Sequence, residues 1–277
     1  MKVAVVTGGT SGIGAVAAET LARCGIRIIL IARDRTRGER MLERLRTCAP
    51  GVEHAVHYAD LSLLAETRRV GAEIAQGEPR IDVLINNAGA MYARMSLTSE
   101  GLERTFALNH MSYFLLTHQL CDRLAAAAPA RIVNTASGAH HRARPDWADL
   151  QSVRHYSALQ AYSRSKLYNI LFTRELARRL AGRGITANCL HPGFVATRFG
   201  DEGGGLVSLG LRVLKRFAIS ADEGARTIAY LATAEEVSGR TGGYYYKNRP
   251  ARPTGQAQDD QAAARLWSES ARLAGIQ

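Results

Sequence analysis

Cysteine is scarce. Four stand in 277 residues, at Cys24, Cys48, Cys121 and Cys189, and none forms a CxxC or CxxxC pair. That spacing excludes a zinc ribbon and a disulfide scaffold, and no metal is expected. Reduced thiols fit a cytoplasmic protein. Lysine is scarcer than arginine by far: 4 of the 36 basic residues are lysine and 32 are arginine. With abundant alanine, this points to a GC-rich, bacterial genome. No run of five basic residues exists, so the formal charge of +11 spreads over a solvated surface and argues against a nucleic-acid partner. Long apolar runs are missing too. No window approaches the roughly 18 residues of a spanning helix. The opening run of MKVAVVTGG stops at Thr7, too short for a signal peptide. Localisation in the cytoplasm, with no membrane anchor, is the expectation.

What is present is alternation. Apolar, β-branched runs occur at Val3–Val6, Ile28–Ile31, Val52–Tyr58, Ile81–Ile85, Arg131–Thr135 and Ile185–Leu190, and a tyrosine-rich seventh strand is expected at Gly243–Tyr246. Between them lie segments with helical spacing, among them Ile13–Cys24, Arg37–Thr47, Leu63–Ala75, Leu108–Ala127 and Ala161–Leu180. Strand–helix–strand repetition builds a parallel sheet covered on both faces, and runs that are apolar throughout fit burial on both sides. No linker divides the chain. The expectation is α/β: one doubly wound (Rossmann) domain over 1–277 with a seven-stranded parallel sheet. Three segments break the rhythm. They are a polar insertion at 138–160, a Gly-hinged apolar stretch at 197–220 that reads as a substrate lid, and a Pro/Gly loop at 248–260 before a terminal helix, Gln261–Leu273.

The first strand runs into Thr7-Gly8-Gly9-Thr10-Ser11-Gly12-Ile13-Gly14 and then a helix. A glycine turn at that junction lets backbone N–H groups and the helix N-terminus meet a pyrophosphate. Gly8 serves the tight turn, Gly12 the close approach and Gly14 the helix–strand packing. The second strand ends at Ala32-Arg33-Asp34. An acidic residue at this point binds a ribose 2′-hydroxyl. Arg33 suits a 2′-phosphate instead, so the cofactor expected is NADP(H). Tyr162 and Lys166, four apart, share one helix face. A tyrosine working near pH 7 must lose about three units of pKa, roughly 4 kcal/mol, which a neighbouring ammonium can supply.

Further motifs stand in order: Asn86-Asn87-Ala88-Gly89, Asn134-Thr135-Ala136-Ser137 and His191-Pro192-Gly193. TGxxxGIG, NNAG, a strand-ending serine, YxxxK and PG together resemble the short-chain dehydrogenase/reductase superfamily over nearly the whole chain. Leu108-Asn109-His110, Phe114-Leu115-Leu116-Thr117, Ser137 with His140-His141, and Asn169-Ile170-Leu171-Phe172 are similar to its retinol-dehydrogenase-like branch. The resemblance implies that Tyr162 exchanges a proton with substrate oxygen, Ser137 orients that oxygen, and Lys166 lowers the tyrosine pKa and holds ribose. It implies that Asn109 holds a relay water, Asp60 and Leu61 meet adenine, and Asn87, Ala88 and Gly89 line ribose. Thr10, Ser11 and Ile13 join the phosphate turn, Pro192, Gly193 and Val195 pack under the nicotinamide, and Thr197 reaches the carboxamide or phosphate.

The function so implied is an NADP(H)-dependent oxidoreductase, a ketoreductase acting on a small carbonyl or alcohol substrate in bacterial secondary metabolism. A non-redox member of the family (epimerase, dehydratase or cyclase) stays open, as does a homo-oligomer. His140 and His141 read as insertion residues, His191 as a packed histidine anchored to backbone, and Tyr244–Tyr246 as sheet and subunit packing.

Overall fold

The computed structural model describes residues 1–193 and 220–276. Its strands are β1 (Val3–Thr7), β2 (Arg27–Ala32), β3 (Ala55–Tyr58), β4 (Val83–Asn86), β5 (Ala130–Thr135), β6 (Ile185–Leu190), β7 (Tyr244–Tyr246) and β8 (Arg249–Pro250). Its α-helices are α1 (Gly12–Arg23), α2 (Arg35–Cys48), α3 (Leu64–Gly77), α4 (Arg104–Phe106), α5 (Ser112–Ala126), α6 (Ala158–Arg179), α7 (Ala221–Thr233) and α8 (Asp260–Leu273). The sheet order is β3-β2-β1-β4-β5-β6-β7-β8. The first seven strands are parallel, as expected. The eighth is a two-residue antiparallel return onto β7, through Lys247 and Asn248, both in the left-handed region. Arg249–Pro250 carries no apolar run, so the pattern of β8 gives no strand signal.

The central strands are buried on both faces, and two cores result. On one side α1, α2 and α7 cover β1 and β2 through Ala17, Ala18, Leu21, Leu45 and Ile228. The alanines of α1 let that helix lie close to the sheet. On the other side α3, α5, α6 and α8 pack Val70, Leu116, Leu171 and Leu266 against Val5, Ile29 and Leu84. Trp267 of α8 meets Phe114 of α5, with ring centroids 4.9 Å apart, and stacks on Phe172 of α6. Among the described residues no helix is long and apolar enough to cross a membrane.

Strand register is pinned inside the sheet by polar groups. Asn86 Nδ2 donates to Asn134 Oδ1 (2.9 Å) and to Thr117 Oγ1 (3.1 Å), and Asn134 Nδ2 donates to Thr173 Oγ1 (2.9 Å). All four side chains are buried. An orphaned amide there would cost about 1–3 kcal/mol, so β4, β5, α5 and α6 are held in the single alignment that satisfies them.

Two local results depart from the expected pattern. The helix read as Leu108–Ala127 is interrupted: α4 passes into a π-helical turn, Ala107–Met111, before α5. Helix α7 was not among the expected elements. The segment 197–220, expected as a substrate lid, lies outside the described residues except for Ser220, which caps α7 by accepting from Glu223 N.

Candidate functional site

The order of the sheet reverses between β1 and β4, the place where ligands bind in open α/β sheets. The loops after β1, β2, β3, β4 and β5 and the start of the loop after β6 open there, and each described site residue expected from the sequence belongs to one of them or to the helices behind.

The glycine turn is built against the loop after β4. Gly8 has φ +64° and Gly12 φ +56°, both in the left-handed region. A Cβ on Gly8 would lie 2.8 Å from Ala88 Cα, and one on Gly14 would lie 2.3 Å from Gly8 O and 2.4 Å from Asn87 Nδ2. Gly14 is thus required by the turn and by Asn87, where the sequence suggested helix–strand packing. Asn87 N and Ala88 N donate to Thr7 Oγ1 at 2.8 and 3.0 Å, while Asn87 Nδ2 donates to Thr7 O and Gly8 O. Ser11 stands at the N-cap of α1 with no side-chain cap bond, and no acidic residue occupies the first turn. The helix end keeps its positive potential. With Thr10, Gly12 and Ile13 beside it, this end fits a dinucleotide pyrophosphate.

At the end of β2, Arg33 is exposed. Asp34 turns away to cap α2, its carboxylate accepting from Arg37 N at 2.8 Å. Arg35 lies over the Tyr58 ring, 4.5 Å from its centroid. After β3, Asp60 Oδ1 accepts from Ser62 N and Ser62 Oγ, which fixes the carboxylate, and Leu61 is buried.

The third group gathers behind β4 and β5. Lys166 Nζ donates to Thr135 O at 3.0 Å and lies 5.7 Å from the centre of the Tyr162 ring. Ser137 is hydrogen-bonded to Tyr162, and its hydroxyl also accepts from Ala139 N at 3.1 Å. Asn109 sits in the π turn, fully buried. Its Oδ1 accepts from Ala90 N, and its Nδ2 donates to Ala90 O and Ser165 Oγ. These bonds commit its side chain to fixing the loop after Gly89. A Cβ on Gly89 would come within 3.2 Å of Asn109 Oδ1 and 3.3 Å of Lys166 Nζ. Pro192 and Gly193 follow β6, where Gly193 N donates to His191 Nδ1 at 3.2 Å. Val195 and Thr197 lie outside the described residues.

Electrostatics depart from one expectation: burial outweighs any lowering of the Tyr162 pKa by Lys166. Burial pushes Lys166 down to about 7, so it exists near neutrality as either amine or ammonium. Burial pushes Tyr162 up to about 12, partly offset by the Ser137 bond, and the phenol is protonated at pH 7. A protonated phenol beside a serine hydroxyl and a titrating lysine is a proton donor with a means of recharging.

The chain matches the sequence profile of the family described as short chain dehydrogenase over residues 2–203. Human retinol dehydrogenase 13 is 40% identical over 284 residues, covering 100% of this chain and 85% of that protein. The chain belongs to the short-chain dehydrogenase family. Within it, the similarity places the chain in the retinol-dehydrogenase-like branch; mouse retinol dehydrogenase 12 is 38% identical, covering 100% of this chain and 87% of its own length. A solved structure from Mycobacterium paratuberculosis is similar with a TM-score of 0.81 and 34% identity, covering 100% of this chain and 94% of the other. A short chain dehydrogenase from Burkholderia cenocepacia, solved in complex with NADP, has a TM-score of 0.70 and 27% identity, with 88% and 94% covered. As a short-chain dehydrogenase the protein is an oxidoreductase of small molecules that uses a nicotinamide cofactor.

Some groups that shape the site of this short-chain dehydrogenase give little warning in the sequence. The carbonyl of Thr135 holds both Lys166 Nζ and Asn169 Nδ2, a backbone role that no residue type announces. Asn169 does carry a signal, since it follows Lys166 by three positions on one face of α6. Tyr113, fully buried, brings its ring centre to 5.8 Å from Lys166 Nζ, and its hydroxyl has no partner among the described residues.

Proposed function

We propose that the protein is an NADP(H)-dependent reductase of a carbonyl compound, or the corresponding alcohol dehydrogenase, with Tyr162, Ser137 and Lys166 as its chemical centre. The observation that carries this reading is the convergence of these three side chains at the strand-order reversal, beside the glycine turn. The glycine turn and the uncapped start of α1 fit the cofactor pyrophosphate. Arg33, with Asp34 turned away, favours a 2′-phosphate over a bare ribose. When bound, the dinucleotide supplies hydride at its nicotinamide ring.

The protein's own part is positioning and proton transfer. Ser137 and the Tyr162 hydroxyl hold the substrate oxygen. Tyr162 then donates its proton as that oxygen gains charge, and Lys166 Nζ, one helical turn away, stabilises the phenolate left behind. Asn109 keeps the loop carrying Gly89 and Ala90 in place.

Leu159, one turn before Tyr162 on α6, is half-exposed. This exposed apolar side chain supports an apolar carbonyl as substrate, and the similarity to proteins named retinol dehydrogenases supports including retinoids in that class. The scarcity of lysine against arginine supports a bacterial source, where secondary metabolism supplies many ketones. The test is a panel of ketones, aldehydes and alcohols followed by absorbance of NADPH, with Tyr162→Phe as control. Turnover in the wild type that the variant lacks is the expected result. Product formed without net cofactor oxidation would replace this reading with a non-redox one.

A further inference from the structure

The Ser137 hydroxyl does its work only if the turn that carries it is rigid. That turn is a short 3₁₀ segment, Gly138–Arg142, whose own hydrogen bonds have poor geometry. The stiffening comes from a side chain. His140 is fully buried, with Nδ1 2.7 Å from the Ser137 carbonyl oxygen and Nε2 3.4 Å from Thr254 N. A backbone N–H can only donate. Nε2 is therefore the bare nitrogen, and Nδ1 carries the hydrogen and donates to Ser137 O. The bond accepted from Thr254 N requires the neutral ring, and burial holds the His140 pKa below its usual value, in keeping with that.

The surroundings hold the ring in turn. Tyr244 of β7 lies edge-on to it at 5.2 Å and also stacks on His191 at 5.8 Å. Thr254 belongs to the segment between β8 and α8. That segment is pinned by fully buried Ala257 and by Gln258 Nε2, which donates to Pro253 O at 3.0 Å. The chain end thus reaches the Ser137 turn through one imidazole.

We propose that His140 is a positioning residue: it ties the segment around Thr254 to the Ser137 turn and so aims the serine hydroxyl at Tyr162. A histidine that merely fills space would need neither nitrogen to face a backbone partner. The inference rests on the reading of Ser137 given above. It predicts different outcomes for two replacements of similar polarity. Asparagine places an N–H donor where Nδ1 stands, and glutamine reaches only as far as Nε2.

The experiment compares His140→Ala, His140→Asn and His140→Gln with Ser137→Ala, measuring kcat, KM and NADPH affinity. Nitrogen-15 imidazole spectra of the wild type are recorded alongside. His140→Ala and His140→Gln should lower kcat by about 10²-fold, the cost of roughly 1 Å of misplacement, with NADPH affinity unchanged. His140→Asn should recover most of kcat. The double variant with Ser137→Ala should be no slower than Ser137→Ala alone. Independent, additive losses, or equal kcat in Asn and Gln variants, would overturn the proposal. The spectra should show an Nδ1-protonated neutral ring, and an Nε2-protonated ring overturns the proposal whether or not a substrate has been found. A wild type without turnover on any carbonyl or alcohol, with the Nδ1-protonated ring observed, defeats the proposed function and leaves the clamp on the Ser137 turn standing.

Discussion

Asp34 accepts a hydrogen bond from Arg37 N at 2.8 Å, so the carboxylate beside Arg33 is committed to the start of α2. An acid free to meet the ribose would repel a 2′-phosphate; this one accepts from the backbone of α2 instead. NADPH should therefore bind more tightly than NADH, by about 1.5–3 kcal/mol for each charge-assisted bond from Arg33. Arg33→Ala should remove most of the difference in a fluorescence titration with both cofactors. Asp34→Ala should leave the ratio intact and cost about 0.5–2 kcal/mol in stability through the lost cap. Equal affinities in the wild type would defeat the assignment.

Tyr162→Phe removes the hydroxyl and nothing else that holds the site together. Turnover should fall by about 10²–10⁴-fold while NADPH affinity stays the same. Lys166→Ala should reduce both, because the ammonium faces tyrosine and cofactor alike. A phenylalanine variant with near wild-type kcat would show that another group supplies the proton.

Legibility divided along physical lines. The glycine turn, NNAG, Ser137 and the Tyr162–Lys166 pair could be read because each role requires a residue type at a fixed local spacing. The π turn could not. Residues 104–126 carry an ordinary helical pattern, and the extra residue is accommodated by Asn109 bonding to Ala90 and Ser165, partners 19 and 56 positions away. Helix α7 carries a legible signal of its own. Ser220 and Glu223 stand at capping-box spacing, and Ala225, Ile228 and Leu231 follow on one face. His140 fell between these cases. Its place among the motifs was visible, but its partner Thr254 is 114 residues distant, so nothing in the sequence distinguished a clamp from a surface histidine.

Lys166 should also give stability a pH dependence of definite sign. Its folded pKa is about 7, against 10.5 for the free side chain. Between those values the unfolded chain binds the proton and the folded chain does not. The Lys166 contribution therefore makes the protein more stable as pH rises from 7 towards 10, by at most about 1.4 kcal/mol per pH unit. Denaturant melts of wild type and Lys166→Met across that range isolate the contribution, since other titrating groups cancel in the difference. A constant difference would mean that the lysine stays charged when buried.

Gly14 offers the sharpest test of how the cofactor end is built. An added Cβ would stand 2.3 Å from Gly8 O and 2.4 Å from Asn87 Nδ2. Neither neighbour can yield cheaply. Gly8 is backbone in a left-handed turn, and Asn87 is held by Thr7 O, Gly8 O and Thr135 Oγ1. Relief must come from moving α1 away from the turn, which also spreads the N–H groups that face the pyrophosphate. Gly14→Ala should thus cost about 1–3 kcal/mol from overpacking, visible as a lower melting temperature, and should weaken NADPH binding as well. Gly77→Ala is the matched control, because nothing lies within 4 Å of a Cβ there. It should leave NADPH binding unchanged and stability unchanged or slightly raised. If Gly14→Ala melted with the wild type and bound NADPH equally well, the close contact between α1, the glycine turn and Asn87 could not be what shapes the site.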